Sequence, residues 1–347
     1  YNPIPDYFFY DLNTKANYQI SDKDKLYISG YFGRDKFAFA GDFFDFSFDW
    51  GNATGTARWN HTFSPKLFSN TTFTYSDYQY NIHTKVTGFS FKVGSDVQDA
   101  NLKTDFYYAP NNRHVLRFGG NVTYHRFNVG RLKAGSDDGE VSFSTGQVFD
   151  GMQFGLYFAD EYEPNKQFKI NSGLRVSGFA NDGNWHLRVE PRIAAKYSVN
   201  ERLTLKGSYA RMHQYVHLVS TAGIALPTDV WYPSTERIKP QTSDQIAIGG
   251  SYLIGKDFFL TNEYYFKHLN NQIAFADWAD LFANDQLEET FAIGKGYSYG
   301  LELGVEKKIG DLKGWVGYTL AWIKRGKFET IKNQVFTSSP DGYFEPR

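Results

Sequence analysis

Phe168-Lys169-Ile170-Asn171-Ser172-Gly173-Leu174-Arg175-Val176-Ser177 is the stretch that decides the fold. Phe168, Ile170, Leu174 and Val176 fall on one side of it, and Lys169, Asn171, Gly173, Arg175 and Ser177 fall on the other. That is a period of two, the period of a β-strand whose successive side chains point to opposite faces. After Asp182-Gly183 the pattern returns: Leu187, Val189, Ile193, Ala195 and Tyr197 oppose His186, Arg188, Glu190, Arg192 and Lys196. A third round sets Leu203, Leu205 and Tyr209 against Thr204, Lys206 and Ser208. Each segment therefore has one oily face and one wet face. Pro191 interrupts the second segment, and the spacing predicts a bulge there, because proline has no N–H to give a ladder.

Working outward, the alternation predicts fourteen strands, near 7–18, 25–37, 47–63, 67–79, 97–109, 113–126, 147–162, 167–180, 185–197, 202–214, 241–254, 257–269, 292–308 and 313–325. They exceed the usual strand of about five or six residues and reach the roughly 9–11 that cross a bilayer. A soluble sandwich and a membrane barrel share this alternation, so the connections have to separate them. Every second connection is short and polar, at 21–24, 64–66, 110–112, 164–166, 199–201, 255–256 and 310–312. The intervening ones, about 80–96, 127–146, 215–240 and 270–291, are long, with 181–184 a short exception. Short turns at one end and long loops at the other mark an outer-membrane barrel. Trp50, Trp59, Phe106, Trp185, Phe258, Trp315 and Trp322 fall near strand ends, where a half-wet ring suits the lipid–water boundary. The chain is thus expected to be all-β, an antiparallel transmembrane β-barrel with periplasmic turns and extracellular loops, crossing a bacterial outer membrane many times and bordered by its lipid.

Composition narrows the function. The 347 residues carry 37 Lys+Arg against 38 Asp+Glu, a balance that argues against a nucleic-acid partner. With no cysteine there are no disulfides, thiolate metal sites or cysteine nucleophiles. No apolar run reaches the length of a transmembrane helix. His213 and His217 stand four apart, a metal spacing on a helix, but Gln214 replaces the Glu that a zinc protease needs and the segment leaves a strand. No catalytic group, metal or cofactor is expected.

Ile238-Lys239-Pro240-Gln241-Thr242-Ser243-Asp244-Gln245-Ile246-Ala247-Ile248-Gly249, Gly294-Lys295-Gly296-Tyr297-Ser298-Tyr299-Gly300-Leu301-Glu302-Leu303 and Gly314-Trp315-Val316-Gly317-Tyr318-Thr319-Leu320 carry a resemblance. They resemble TonB-dependent outer-membrane receptors at the points where a long loop returns to a strand and in the two strands that follow. Gln241 stands where the family has Glu. The likeness is strongest to members from the Bacteroidota, including SusC-like transporters, and is specific over about residues 231–325. It implies that 1–347 is part of a 22-stranded barrel whose plug and C-terminal strands lie outside this sequence. It further implies TonB-dependent uptake of a glycan, peptide or metal chelate, with the plug, TonB and, as in SusC-like systems, a surface lipoprotein lid as partners. A passive fourteen-stranded porin and a structural barrel in a surface assembly are the rival readings.

Two groups of residues follow. Lys169, Arg175, Arg188, Glu190, Arg192, Lys206 and Glu302 lie on the wet face and are expected to line the lumen or touch the plug, or else to pair across strands. Trp231, Tyr232, Phe275, Trp278 and Asp280 lie in long loops, where aromatic faces near carboxylates suit ligand or lid contact, or packing against each other.

Overall fold

The computed structural model describes residues 5–41, 43–136, 142–219, 230–276, 287–330, 335–336 and 343–344. The alternating segments become β1 (Asp6–Gln19), β2 (Asp24–Ala40), β3 (Phe44–Ser64), β4 (Leu67–Val86), β5 (Phe89–Asn111), β6 (His114–Ser136), β7 (Ser142–Asn165), β8 (Phe168–Asn181), β9 (Asn184–Ser198) and β10 (Leu203–Gln214). A small hairpin follows, β11 (Val216–Val219) with β12 (Val230–Pro233). The wall resumes with β13 (Gln241–Ile254), β14 (Phe258–Phe275), β15 (Phe291–Lys307) and β16 (Gly314–Thr330), and the two-residue strands β17 (Val335–Phe336) and β18 (Tyr343–Phe344) pair with β16. All fourteen expected strands are present. They pair antiparallel in chain order, with β13 directly beside β10.

The short connections share a chemistry. Asn111 Oδ1 accepts from the amides of Arg113 and His114, Asn165 Oδ1 from those of Gln167 and Phe168, and Asn200 Oδ1 from those of Arg202 and Leu203, all at 2.8–3.1 Å. In each turn one side chain satisfies two amides that the ladder has left behind. The exception at the opposite end is a two-residue turn with Asp182 at φ 45° and Gly183 at φ 78°, the left-handed pair that matches strand twist.

The opposite end differs from expectation at two of its four long connections. The β4–β5 ladder continues from Tyr80↔Ser95 to Val86↔Phe89 and closes through Thr87-Gly88, with Gly88 at φ 82°. The β6–β7 ladder continues to Gly135↔Ser142 past an irregularity between Val129 and Leu132. What reads as loop is paired ribbon, because extending the ladder satisfies backbone groups that a bare loop would leave to water. Strands of 20–24 residues are about twice what a bilayer requires, so their outer halves extend beyond it.

Pro191 corrects a second expectation. The β8–β9 ladder passes through Leu174↔Pro191 with no shift, so no bulge forms there. The β9–β10 ladder instead stops at Arg192↔Ala210. The missing N–H ends the pairing on one side and leaves the other intact.

The two faces of the wall differ. Leu156 is 68%, Leu187 60% and Ile248 60% exposed, whereas Glu190 is 5% and Ser177 1% exposed. The described residues contain no second layer over the oily face. A soluble sandwich would bury the first set and expose the second. Trp59 near the turn end and Trp185 beside the Asp182-Gly183 turn are exposed on the oily face at opposite ends. The β11–β12 hairpin covers the other face. It leaves the wall between β10 and β13, yet β12 contacts β5 and β6, and β11 contacts β14. The sheet must curl around the hairpin for that contact to exist. Phe127, Val129, Val219, Val230, Tyr232, Ile238, Ile273 and Phe291 form the buried cluster where hairpin meets wall.

Candidate functional site

Cross-strand register assembles the inner face. Lys169 lies opposite Lys196, Lys196 opposite Lys206, Lys206 opposite Gly249, Gly249 opposite Glu263, and Glu263 opposite Glu302. One transverse row thus carries three lysines, a gap, and two glutamates. The gap is tight: a Cβ on Gly249 would lie 2.3 Å from the Asn262 carbonyl oxygen. Like charges facing each other across a ladder repel. Lys169 is answered by Glu161, which it contacts closely, and by Glu163 at 3.8 Å. Lys196 and Glu263 join the residues singled out from the sequence, and the same alternation places them on this face.

A second group gathers on Glu190. The Ser177 hydroxyl donates to Glu190 Oε1 at 2.6 Å. Arg175 Nε and Arg192 Nη2 stand 3.7 and 3.8 Å from Oε2, and His213 Nδ1 stands 3.6 Å from Oε1. Arg175 also donates to Asn121 Oδ1 at 2.8 Å. A carboxylate this buried is costly unless paired and hydrogen-bonded, and the cluster supplies both. Arg188 stays outside it and donates to the Leu187 carbonyl.

The cluster extends to the hairpin through Tyr215, whose hydroxyl lies 2.7 Å from Ser177 Oγ and whose ring stacks on Phe179 at 5.8 Å. His217 on β11 meets Ser234 Oγ at 2.9 Å, and His186 on β9 meets the Thr235 carbonyl at 2.9 Å. Burial, and then the nearby His186, holds the His217 imidazole down to about 4. His213 and His217 therefore turn to different partners, and no group of three possible ligands for a metal forms among the described residues.

Between hairpin and wall lies a cavity of about 750 Å³ lined by Tyr78, Tyr80, Tyr215 and Trp231, with Asp99 and His125 on its wall. His125 Nδ1 lies 2.7 Å from Asp99 Oδ1. Of the loop residues singled out, Trp231 faces this cavity. Tyr232 is buried, packing at 4.9 Å against Phe149 and 5.0 Å against Phe291, and Phe275 packs on Phe291 at 5.2 Å. Trp278 and Asp280 lie outside the described residues. The aromatic cavity leaves no trace in the sequence pattern, because its residues come from β3 to β7, from the end of β10 and from the hairpin.

Comparison with known proteins agrees with this geometry. Residues 1–343 match the model of a family described as TonB dependent receptor-like, β-barrel. No curated protein matches the chain. Among solved structures it is similar to the copper transporter OprC (TM-score 0.69, 10% identity, 95% of this chain, 55% of that one). It is also similar to the ferric yersiniabactin uptake receptor FyuA from Yersinia pestis (TM-score 0.65, 13% identity, 95% and 53%). A third is the RagAB peptide importer (TM-score 0.62, 10% identity, 93% and 47%). At such identities the likeness is one of fold. The chain spans about half the length of these structures.

Proposed function

The chain belongs to the TonB-dependent receptor-like β-barrel family, and from that premise we propose that it forms part of the wall of an active importer in a bacterial outer membrane. The observation that carries this is the division of faces. Aliphatic side chains such as Leu156 and Ile248 are exposed on one side, while ion pairs centred on Glu190 and the Lys169–Glu302 row occupy the other. A lipid-facing exterior around an aqueous bore requires that arrangement.

The open sheet supports a larger barrel. Among the described residues β1 pairs only with β2, and β16 pairs with β15 and the short β17 and β18, so the fourteen long strands do not close on each other there. A passive fourteen-stranded pore requires that closure. In this reading residues 1–347 are part of the 22-stranded barrel that the family resemblance implies, with a plug and further strands outside this sequence. The inner row and the Glu190 cluster face the plug or the solute path. Trp231 offers a stacking surface to the cargo, which is a nutrient such as a glycan, a peptide or a metal chelate. TonB supplies the energy. A SusC-like arrangement with a lipoprotein lid is the finer reading, supported by the motifs in 231–325 and by the similarity to RagAB.

Uptake by the full-length protein in cells with and without TonB tests the reading. Accumulation that depends on TonB, and that falls on charge reversal at Glu263 and Glu302 together, is expected. Accumulation equal in both strains rejects active import.

A further inference from the structure

The outer end of the wall carries a charge pattern that transport through the bore does not use. On β4, β5 and β6, His83 lies directly opposite Lys92, and Lys92 directly opposite Lys133. Three cationic or protonatable groups thus stand side by side across three strands, in the register where like charges destabilise a sheet. Ser47 and Ser144 flank the row, and Lys85 stands one step further out, opposite Asp45 and Ser90. Lys85, Lys92 and Lys133 are exposed; His83 Nε2 has the Asp49 carboxylate at 3.9 Å, whereas no carboxylate among the described residues pairs with Lys92 or Lys133. The residues line a groove of about 750 Å³.

The face is the lipid-facing one. Counting down β4 by twos from His83 leads through Asn81, Gln79 and Asp77 to the exposed rings of Tyr75 and Phe73. The eight steps from Tyr75 to His83 rise about 26 Å along the strand, or about 19 Å along the membrane normal at the usual tilt. With the exposed Tyr75 ring taken as the lipid–water boundary, that height lies above phospholipid phosphates and within reach of the sugar head of a glycolipid.

We propose that the groove over His83, Lys92 and Lys133 binds the phosphorylated saccharide head of an outer-leaflet glycolipid. The inference rests on the outward orientation of the apolar face and not on any particular cargo. Phosphate oxygens placed between Lys92 and Lys133 turn a repulsive pair into two charge-assisted contacts. The serine hydroxyls flanking the row suit a polyhydroxylated neighbour, and the apolar rows below seat the acyl chains of the same molecule.

The test uses the full-length protein in detergent micelles and three probes: lipopolysaccharide with phosphorylated core sugars, the same material after chemical dephosphorylation, and inorganic phosphate. The wild type is expected to bind the phosphorylated glycolipid about tenfold or more tightly than either the dephosphorylated form or the K92Q/K133Q variant does. Inorganic phosphate should not displace it at comparable concentration. Equal binding by wild type and variant, or of both glycolipids, overturns the proposal, as does inorganic phosphate binding as tightly as the lipid. A second measurement is independent of the first. Without glycolipid, K92Q alone should raise the thermal midpoint by removing the repulsion, and an unchanged or lower midpoint also overturns the proposal.

Discussion

Ser177 Oγ and the Tyr215 hydroxyl meet at 2.7 Å, and this contact ties the Glu190 cluster of the wall to the start of the inward hairpin. Ser177 has one proton and gives it to Glu190, so Tyr215 is the donor in the second bond. The direction ranks two substitutions. Tyr215→Phe leaves Ser177 bonded to the carboxylate and removes one neutral bond, at about 1 kcal/mol. Ser177→Ala strips a buried carboxylate of its donor and should cost about 2–3 kcal/mol. Amide exchange across Val216–Val219 reads both; equal protection loss in the two variants contradicts the assigned direction.

Acid should loosen the same hairpin. His217 is kept neutral when folded, with its pKa held at about 4 against the ordinary 6.5. Protonation therefore favours the undocked state. The stability is complete above pH 6.5, declines as pH falls toward 4 and is lost below it, a total of about 3 kcal/mol. Hairpin amide exchange, corrected for its intrinsic pH dependence, should accelerate across that window in the wild type and stay flat in His217→Gln.

The assignment of faces predicts opposite tolerances on the two sides of the wall. Leu156→Arg places a charge on the exposed apolar face and should destabilise the barrel in lipid vesicles by about 2–4 kcal/mol. The inward Lys206 should accept Gln within about 0.5 kcal/mol. Guanidinium titration followed by the heat-dependent electrophoretic shift of folded barrels measures both. A tolerated Leu156→Arg would place that face in water.

Gly249 keeps two strands close at the gap between the lysine and glutamate halves of the inner row. A Cβ there would press on the Asn262 carbonyl, so Gly249→Ala should cost about 1–3 kcal/mol by forcing the backbone apart. Gly55 is the control, because a Cβ added to it would meet nothing within 4 Å. Gly55→Ala should leave the unfolding midpoint nearly unchanged.

Much of the wall is legible from local pattern. The alternation around Phe168–Ser177 and the asparagine turns at Asn111, Asn165 and Asn200 report strand, face and hairpin end within a few residues of themselves. Other features escape. The ladders beyond Tyr80 and Phe127 read as loops because their side chains above the bilayer are mixed, and pairing there is carried by the backbone. Pro191 reads as a bulge because sequence does not say which neighbouring strand does without the N–H. Tyr232 and Phe275 read as loop aromatics open to ligand, to a lid or to packing against each other, and only the structure shows Tyr232 packed against Phe149 and Phe291 and Phe275 on Phe291.

By itself, the sequence determined the number of long strands, their up-and-down order and which side chains share a face, because a strand's period of two and a tight turn are properties of a few consecutive residues. The tertiary structure alone decided that the hairpin after Tyr215 folds back to β5 and β6, that Ser177 and Glu190 anchor it, and that Lys92 stands between His83 and Lys133. Those contacts join residues far apart in the chain. Their register depends on how the whole sheet curls and where each ladder shifts, and no local stretch of residues encodes either.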